Sequence, residues 1–181
     1  MLPENPPELE NHIKACISGD PESFRYVFDF SKNRIFNYVL SRTNNREDAL
    51  DITQEIFVDL WKALPKFKYR SLGQFYSFIF LVAKRRLIKH YRSAKYSSEL
   101  DETKIDLING KNDQGDIADY QSLINGMKKL KKNHQETLRL RYWSGLSYQE
   151  ISQIFGTKES TVKVWHFRAI QKLKKILGDN I

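Results

Sequence analysis

Apolar residues recur at three- and four-residue steps along most of the chain, and no segment sustains strand alternation, so the pattern predicts an all-α protein. Leu9 to Ser18 is a short helix ended by Gly19. Asp20 caps a longer helix that opens on Pro21, a favoured first position, and continues to about Arg42, with room for a break near Ser31 to Asn33. Phe24, Val27, Phe28, Ile35, Tyr38 and Val39 supply its core stripe. A third helix runs from about Arg46 to Leu64 and stops before Pro65. Its inner side is Ala49, Ile52, Ile56 and Leu60, widened by Leu50, Phe57, Trp61 and Leu64. The fourth runs from about Leu72 to Ser93, with Phe75 and Ile79 inward and Phe78 balanced between core and surface.

The most informative pattern lies near the C-terminus, in GLSYQEISQIFGTKESTVKVWHFRAIQKLKK. A helix starting near Ser147 carries Tyr148, Ile151, Ile154 and Phe155 on one face, and Ser147 with Glu150 forms a capping box. Gly156 supplies the left-handed backbone of a sharp helix-to-helix turn. From about Glu159 a second helix turns Val162, Ala169, Ile170 and Leu173 inward, leaving Ser160, Thr161, Lys163 and Arg168 elsewhere. Two helices about a tight turn, the second with a basic, hydroxyl-rich side, make a helix-turn-helix whose second helix fits a DNA major groove.

Similar helix pairs occur in bundles that never touch DNA, and here charge alters the picture. From Gln121 onward twelve Lys and Arg face four Asp and Glu, the electrostatic footprint of a nucleic-acid binder. The whole chain of 181 residues carries a net charge of +8. Residues 94–120 run the other way, with seven acidic and three basic residues and clustered Ser, Asn, Asp and Gly, so they predict a linker with at most a helical turn near Ile105 to Ile108. Two small helical bodies follow, residues 1–93 and 121–181. No run of eighteen apolar residues predicts a membrane span and the N-terminus has no signal pattern, so the cytoplasm is the expected compartment. Cys16 is the one cysteine and the four histidines are scattered, so neither a disulfide nor a metal site nor any cofactor is expected.

Two further patterns carry chemistry. Asp48, Asp51, Glu55 and Asp59 recur at three- and four-residue steps, an acidic stripe beside the apolar side of the third helix. Like charges at these spacings repel, so on a basic protein the stripe is more simply a docking surface for a basic partner than an ordinary solvated face. In KFKYRSLGQFYSF, from Lys66 to Phe78, cations alternate with aromatics, a composition that suits single-stranded nucleic acid. Phe67, Tyr69 and Tyr76 are the candidates for exposed stacking, and Arg85, Lys89 and Arg92 share one helix face convenient for phosphates.

Together these segments resemble the sigma-70 family of bacterial RNA polymerase initiation factors, in its extracytoplasmic-function (ECF) group. The matching runs are GDPESF, REDALDITQEIFVDLWKALPKF, FYSFIFLVAKRRLIKHYR and LRLRYWSGLSYQEISQIFGTKESTVKVWHFRA, and the resemblance covers about 150 residues. It implies that the third helix is region 2.2, which docks on the clamp helices of the polymerase beta-prime subunit, with Asp51, Gln54, Glu55 and Trp61 at its motif positions. The aromatic loop and fourth helix resemble regions 2.3 and 2.4, which open the −10 element. The C-terminal body resembles region 4, which reads the −35 element and packs on the beta flap, with Ser160, Thr161, Lys163, Val164 and Arg168 at reading positions. It further implies a cognate anti-sigma factor as partner, and a linker threaded into the polymerase. The chain departs from the family pattern at Lys131, where Pro is common, and at Trp165 and His166, which replace a common Arg and a buried Leu. Phe78 stands for a frequent Trp, and Arg85 and Lys89 for Asn and Asp, so promoter sequence does not transfer from relatives.

The competing class is a stand-alone helix-turn-helix repressor or activator, which leaves the acidic stripe and aromatic loop without a role. An enzyme has less support, because no phosphate-binding glycine loop, metal-ligand spacing or Ser/His/Asp arrangement is present.

Overall fold

The computed structural model describes residues 8–43, 45–98 and 122–178, without the side chains of 93–98. The chain divides into two compact units, Met1–Ile108 and Asn109–Ile181. All regular elements among the described residues are helical.

In the N-terminal unit, α1 is Leu9–Ile17, α2 is Pro21–Leu40, α3 is Arg46–Ala63 and α4 is Leu72–Ser98. Asp20 caps α2 through its carboxylate, which accepts from the Ser23 and Glu22 amides at 3.1 and 3.3 Å. Asn45 caps α3, accepting from the Asp48 amide at 2.7 Å. These side chains satisfy amides that a helix start leaves without intrahelical partners. The four helices then bury one shared core, in which Leu9, Ile13, Val27, Ile56, Leu60 and Ala83 are fully enclosed.

Three expectations need correcting. α2 is continuous through Ser31, because the buried Ser31 hydroxyl donates to the Val27 carbonyl at 2.6 Å and costs the core no unpaired group. Leu50 is 43% exposed and does not widen the core side of α3. α3 stops before Pro65 as expected, ending at Ala63, and Pro65 lies inside a 3-10 turn, Leu64–Lys66. α4 continues to Ser98, into the start of the expected linker; the rest of that segment, including 105–108, lies outside the described residues.

In the C-terminal unit, α5 spans residues 122–128 and α6 is Lys132–Leu138, which runs into a π-helical turn, Arg139–Trp143. α7 is Tyr148–Phe155 and α8 is Glu159–Leu177. One core cluster is Met127, Leu130, Leu138, Ala169 and Leu173, flanked by Leu123, Trp143, Ile170 and Leu177; Leu140, Leu146, Ile151 and Val162 are fully enclosed as well. Gly126 lets α5 approach α8 closely, since an added Cβ would meet Leu173 and Leu177 side chains at 3.3 Å. Ser147 and Glu150 complete the expected capping box, with Oγ accepting at 3.1 Å and the carboxylate at 2.7 Å. Gly156, at φ +62°, makes the left-handed turn into α8.

Candidate nucleic-acid and protein interfaces

The acidic stripe on α3 is exposed at Asp51, Gln54 and Glu55, and half-buried at Asp48 and Asp59. Three of its carboxylates have partners, Asp48 accepting from Asn45 Nδ2 at 3.0 Å. Arg86, reaching across from α4, donates through Nη1 to Glu55 at 3.1 Å, through Nε to Asp59 at 2.9 Å, and through Nη2 to Asp59. The Asp59 hydrogen bond, reinforced by both carboxylate charges, raises the Arg86 pKa further above its already high ordinary value. The arrangement relieves the repulsion within the stripe while leaving Asp51 facing solvent. Beside it Trp61 packs on Phe24 at 4.8 Å, and Phe28 on Phe57 at 4.6 Å. These residues, with Pro21, Gln54 and Val58, line an apolar groove between α2 and α3. One strip of surface thus offers carboxylates at its edge and an aromatic trough beside them.

The loop before α4 forms a second surface. Phe67 stacks on Phe78 with ring centroids 4.6 Å apart and planes 19° apart. Around this pair a hollow is lined by Lys66, Lys68, Arg70 and Gln74. The Gln74 Oε1 is buried there without a hydrogen-bond partner, an acceptor already stripped of water. Tyr69 is half-buried, with the Lys14 ammonium 5.5 Å from its ring centre, and burial followed by the neighbouring Glu10 charge raises its hydroxyl pKa. Tyr76 corrects the expectation of an exposed stacking residue. It is 2% exposed, and its hydroxyl accepts from Arg34 Nη1 of α2 at 3.0 Å. A buried phenol needs such a partner, and the buried Arg34 provides one. Arg85, Lys89 and Arg92 are all exposed on α4.

On the C-terminal unit, Ser160, Lys163, Val164 and Arg168 are exposed along α8 and Thr161 is half-buried. Lys163 pairs with Glu159 at 2.7 Å, a one-turn bridge exposed to solvent. Sequence reasoning missed Phe167, which is 63% exposed and lies one turn from Lys163 and Val164. It also missed His166, whose two ring nitrogens meet the Tyr142 and Tyr148 hydroxyls at 2.9 and 3.2 Å. Trp165 turns inward against Phe155, with centroids 5.2 Å apart. Among the described residues no cluster of His, Cys, Asp and Glu could hold a metal ion. No described helix is long and apolar enough to cross a membrane.

A helical body with an acidic ridge and an aromatic, basic loop, followed by a capped helix-turn-helix with a basic face, defines a DNA-binding protein of the transcription machinery. Residues 30–96 match the family Sigma-70 region 2, and residues 120–173 match Sigma-70, region 4. RNA polymerase sigma factor YlaC of Bacillus subtilis is 31% identical over 147 residues, covering 78% of this chain and 84% of YlaC. ECF RNA polymerase sigma factor SigM of the same organism is 25% identical over 158 residues, covering 86% of this chain and 95% of SigM. BldN of Streptomyces coelicolor, also an ECF RNA polymerase sigma factor, is 22% identical over 177 residues; 93% of this chain aligns, spanning 65% of BldN. In fold the chain is similar to CnrH, solved in complex with the cytosolic domain of CnrY, at a TM-score of 0.69 and 19% identity over 94% of this chain and 97% of that one. It is similar too to the sigma factor RpoE of Bartonella quintana, solved with the anti-sigma factor NepR, at 0.63 and 18% over 86% and 97%. The chain belongs to the sigma-70 family of RNA polymerase sigma factors, in the ECF group. It is an initiation factor and not an enzyme.

Proposed function

We propose that this protein binds core RNA polymerase through α3 and directs it to promoters read at two separate elements. The presence of a region 2 and a region 4 match in one chain carries this reading, because a stand-alone repressor needs only the second. Residues 1–93 dock on polymerase and open the −10 element, 94–120 link, and 121–181 read the −35 element. Asp51 and Glu55 meet the basic side of the beta-prime clamp helices, while Gln54 and Trp61 close the apolar trough against them. Region 4 packs on the beta flap. Melting needs no catalytic group. A protein that binds unpaired −10 bases better than paired ones lowers the free energy of the open state by that difference. Phe67 and Phe78 give a base a stacking face, Gln74 Oε1 gives an amine-bearing base an acceptor, and Arg85, Lys89 and Arg92 hold phosphates. Ser160, Thr161, Lys163, Val164 and Arg168, joined by Phe167, face the −35 groove. The site of action is the cytoplasm, where polymerase is, and a cognate anti-sigma factor masks one or both bodies.

Run-off transcription with bacterial core polymerase and fragmented genomic DNA from the source tests the proposal. Discrete transcripts that depend on the protein support it, and their start sites report both elements. Silence, together with tight binding of duplex DNA by the protein alone, would favour the repressor or activator instead.

A further inference from the structure

His166 sits in the middle of α8, between the exposed pairs Lys163–Val164 and Phe167–Arg168. Its Nε2 meets the Tyr142 hydroxyl at 2.9 Å, and its Nδ1 meets the Tyr148 hydroxyl at 3.2 Å. Tyr142 belongs to the π-turn that ends the preceding helix, and Tyr148 is the first residue of α7. One side chain of α8 is therefore tied to both elements that precede it. We propose that His166 is a positioning residue for −35 recognition, which sets the rotation of α8 against the π-turn and α7 and does so best while its imidazole is neutral.

Directionality is the first argument. A neutral imidazole has one N–H and one bare nitrogen, so one tyrosine accepts from it and the other donates to it. An apolar side chain in the same place fills space but imposes no direction. Tyr142 is 61% exposed, so burial does little to hold it, and the bond to His166 is what fixes its tip. The rings add to this, with Tyr148 edge-on to the imidazole at 5.4 Å and Tyr142 tilted against it at 5.7 Å.

Charge is the second argument. The cations facing this cluster are Arg141 from the π-turn, 4.8 Å from the centre of the Tyr148 ring, and Lys163 from α8 itself, 5.9 Å from the same ring. Lys163 is paired with Glu159 at 2.7 Å, which leaves Arg141 as the cation that acts on the imidazole, and Glu150 of α7 accepts from the Ser147 amide in the capping box. Burial, and after it the Arg141 charge, lowers the His166 pKa below its ordinary value of 6.5. Protonation would place a second positive charge beside Arg141 in a partly enclosed site and oblige both tyrosine hydroxyls to accept, reversing one of the two bonds. Acid therefore weakens the packing that ties α8 to the two preceding elements.

The inference rests on α8 being the −35-reading helix, and its test separates the two. Holoenzyme is assembled from core polymerase and the full chain, and its affinity is measured for a protein-dependent promoter and for the same fragment with a scrambled −35 element. If the wild type fails to discriminate at about pH 7.5, the reading of α8 itself fails. If it discriminates, His166→Leu should lose about tenfold of that preference, the scale of one base contact, while its thermal unfolding midpoint stays in place. His166→Gln, which keeps a donor and an acceptor but does not titrate, should keep most of the preference and flatten the wild-type decline between about pH 7.5 and about pH 5.5. Wild-type preference in His166→Leu, or the same pH profile in wild type and His166→Gln, would overturn the proposal. Should the leucine variant unfold, the comparison with glutamine decides alone.

Discussion

The N-terminal body is held by long helices packed on one another, while the C-terminal body relies on caps, a glycine turn and a small core. α2 and α4 run 20 and 27 residues, and the enclosed side chains come from all four helices. By contrast α6 and α7 run 7 and 8 residues, too short to be stable alone. Their geometry is set by the Ser147–Glu150 box, by Gly156 at positive φ, and by enclosed side chains such as Leu140, Leu146, Ile151 and Val162. The contrast teaches where each body keeps its chemistry. The large core of the first can bury a tyrosine and an arginine and still present an acidic ridge. The second has little interior to spare, and most of its basic residues lie on the surface.

The same contrast decides what could be read from the chain. The helix-turn-helix was legible because its determinants are local: the capping box spans four residues, Ser147 to Glu150, and a turn glycine is one. The third and fourth helices were legible from their periodicity. Tyr76 was not, because its place depends on Arg34, 42 residues earlier in the chain. Nor was the role of Arg86, whose partners Glu55 and Asp59 lie 31 and 27 residues earlier in the chain. Phe167 looks like a core residue by type, and only the rotation of α8 exposes it. The extra turns of α4 beyond Ser93 lie in a stretch with no apolar period to announce them.

Substitutions sharpen the comparison. Leu60, fully enclosed in the first body, should cost about 2–5 kcal/mol on conversion to alanine, through lost transfer energy and the cavity left behind. Hydrogen exchange should accelerate in α1 to α4 and leave α7 and α8 unchanged; equal acceleration in both would show that they share one core. Ser147→Ala removes the cap on which α7 depends and should cost about 1 kcal/mol, confined to the second body.

Acid should separate the bodies by the pH at which each weakens. His134 is held below the ordinary 6.5 by burial and then by Lys131, Arg168 and Lys172, and His166 by burial and Arg141. In each case the unfolded chain takes up the proton first, so stability present above pH 6.5 drains as the pH falls below it. In the N-terminal body the lowered groups are carboxylates. The Ser23 hydroxyl leads in holding Asp20 below 3.8, and Lys14 leads in holding Glu10 below 4.5. Their contribution is present above those values and is lost only as the pH falls beneath them. Exchange measured across this range should show α7 and α8 loosening first, and the reverse order would contradict the assignment of these shifts.

The most direct test of the account is an equilibrium titration of core polymerase with the labelled full-length protein. We expect Asp51→Lys with Glu55→Lys to lose affinity by at least about a hundredfold with its helical circular dichroism unchanged, as reversal of two interface charges should do. Lys163→Ala with Arg168→Ala, on the other body, should bind core polymerase as the wild type does. Undiminished binding by the charge-reversed protein would contradict the assignment of α3 as the surface that docks on polymerase.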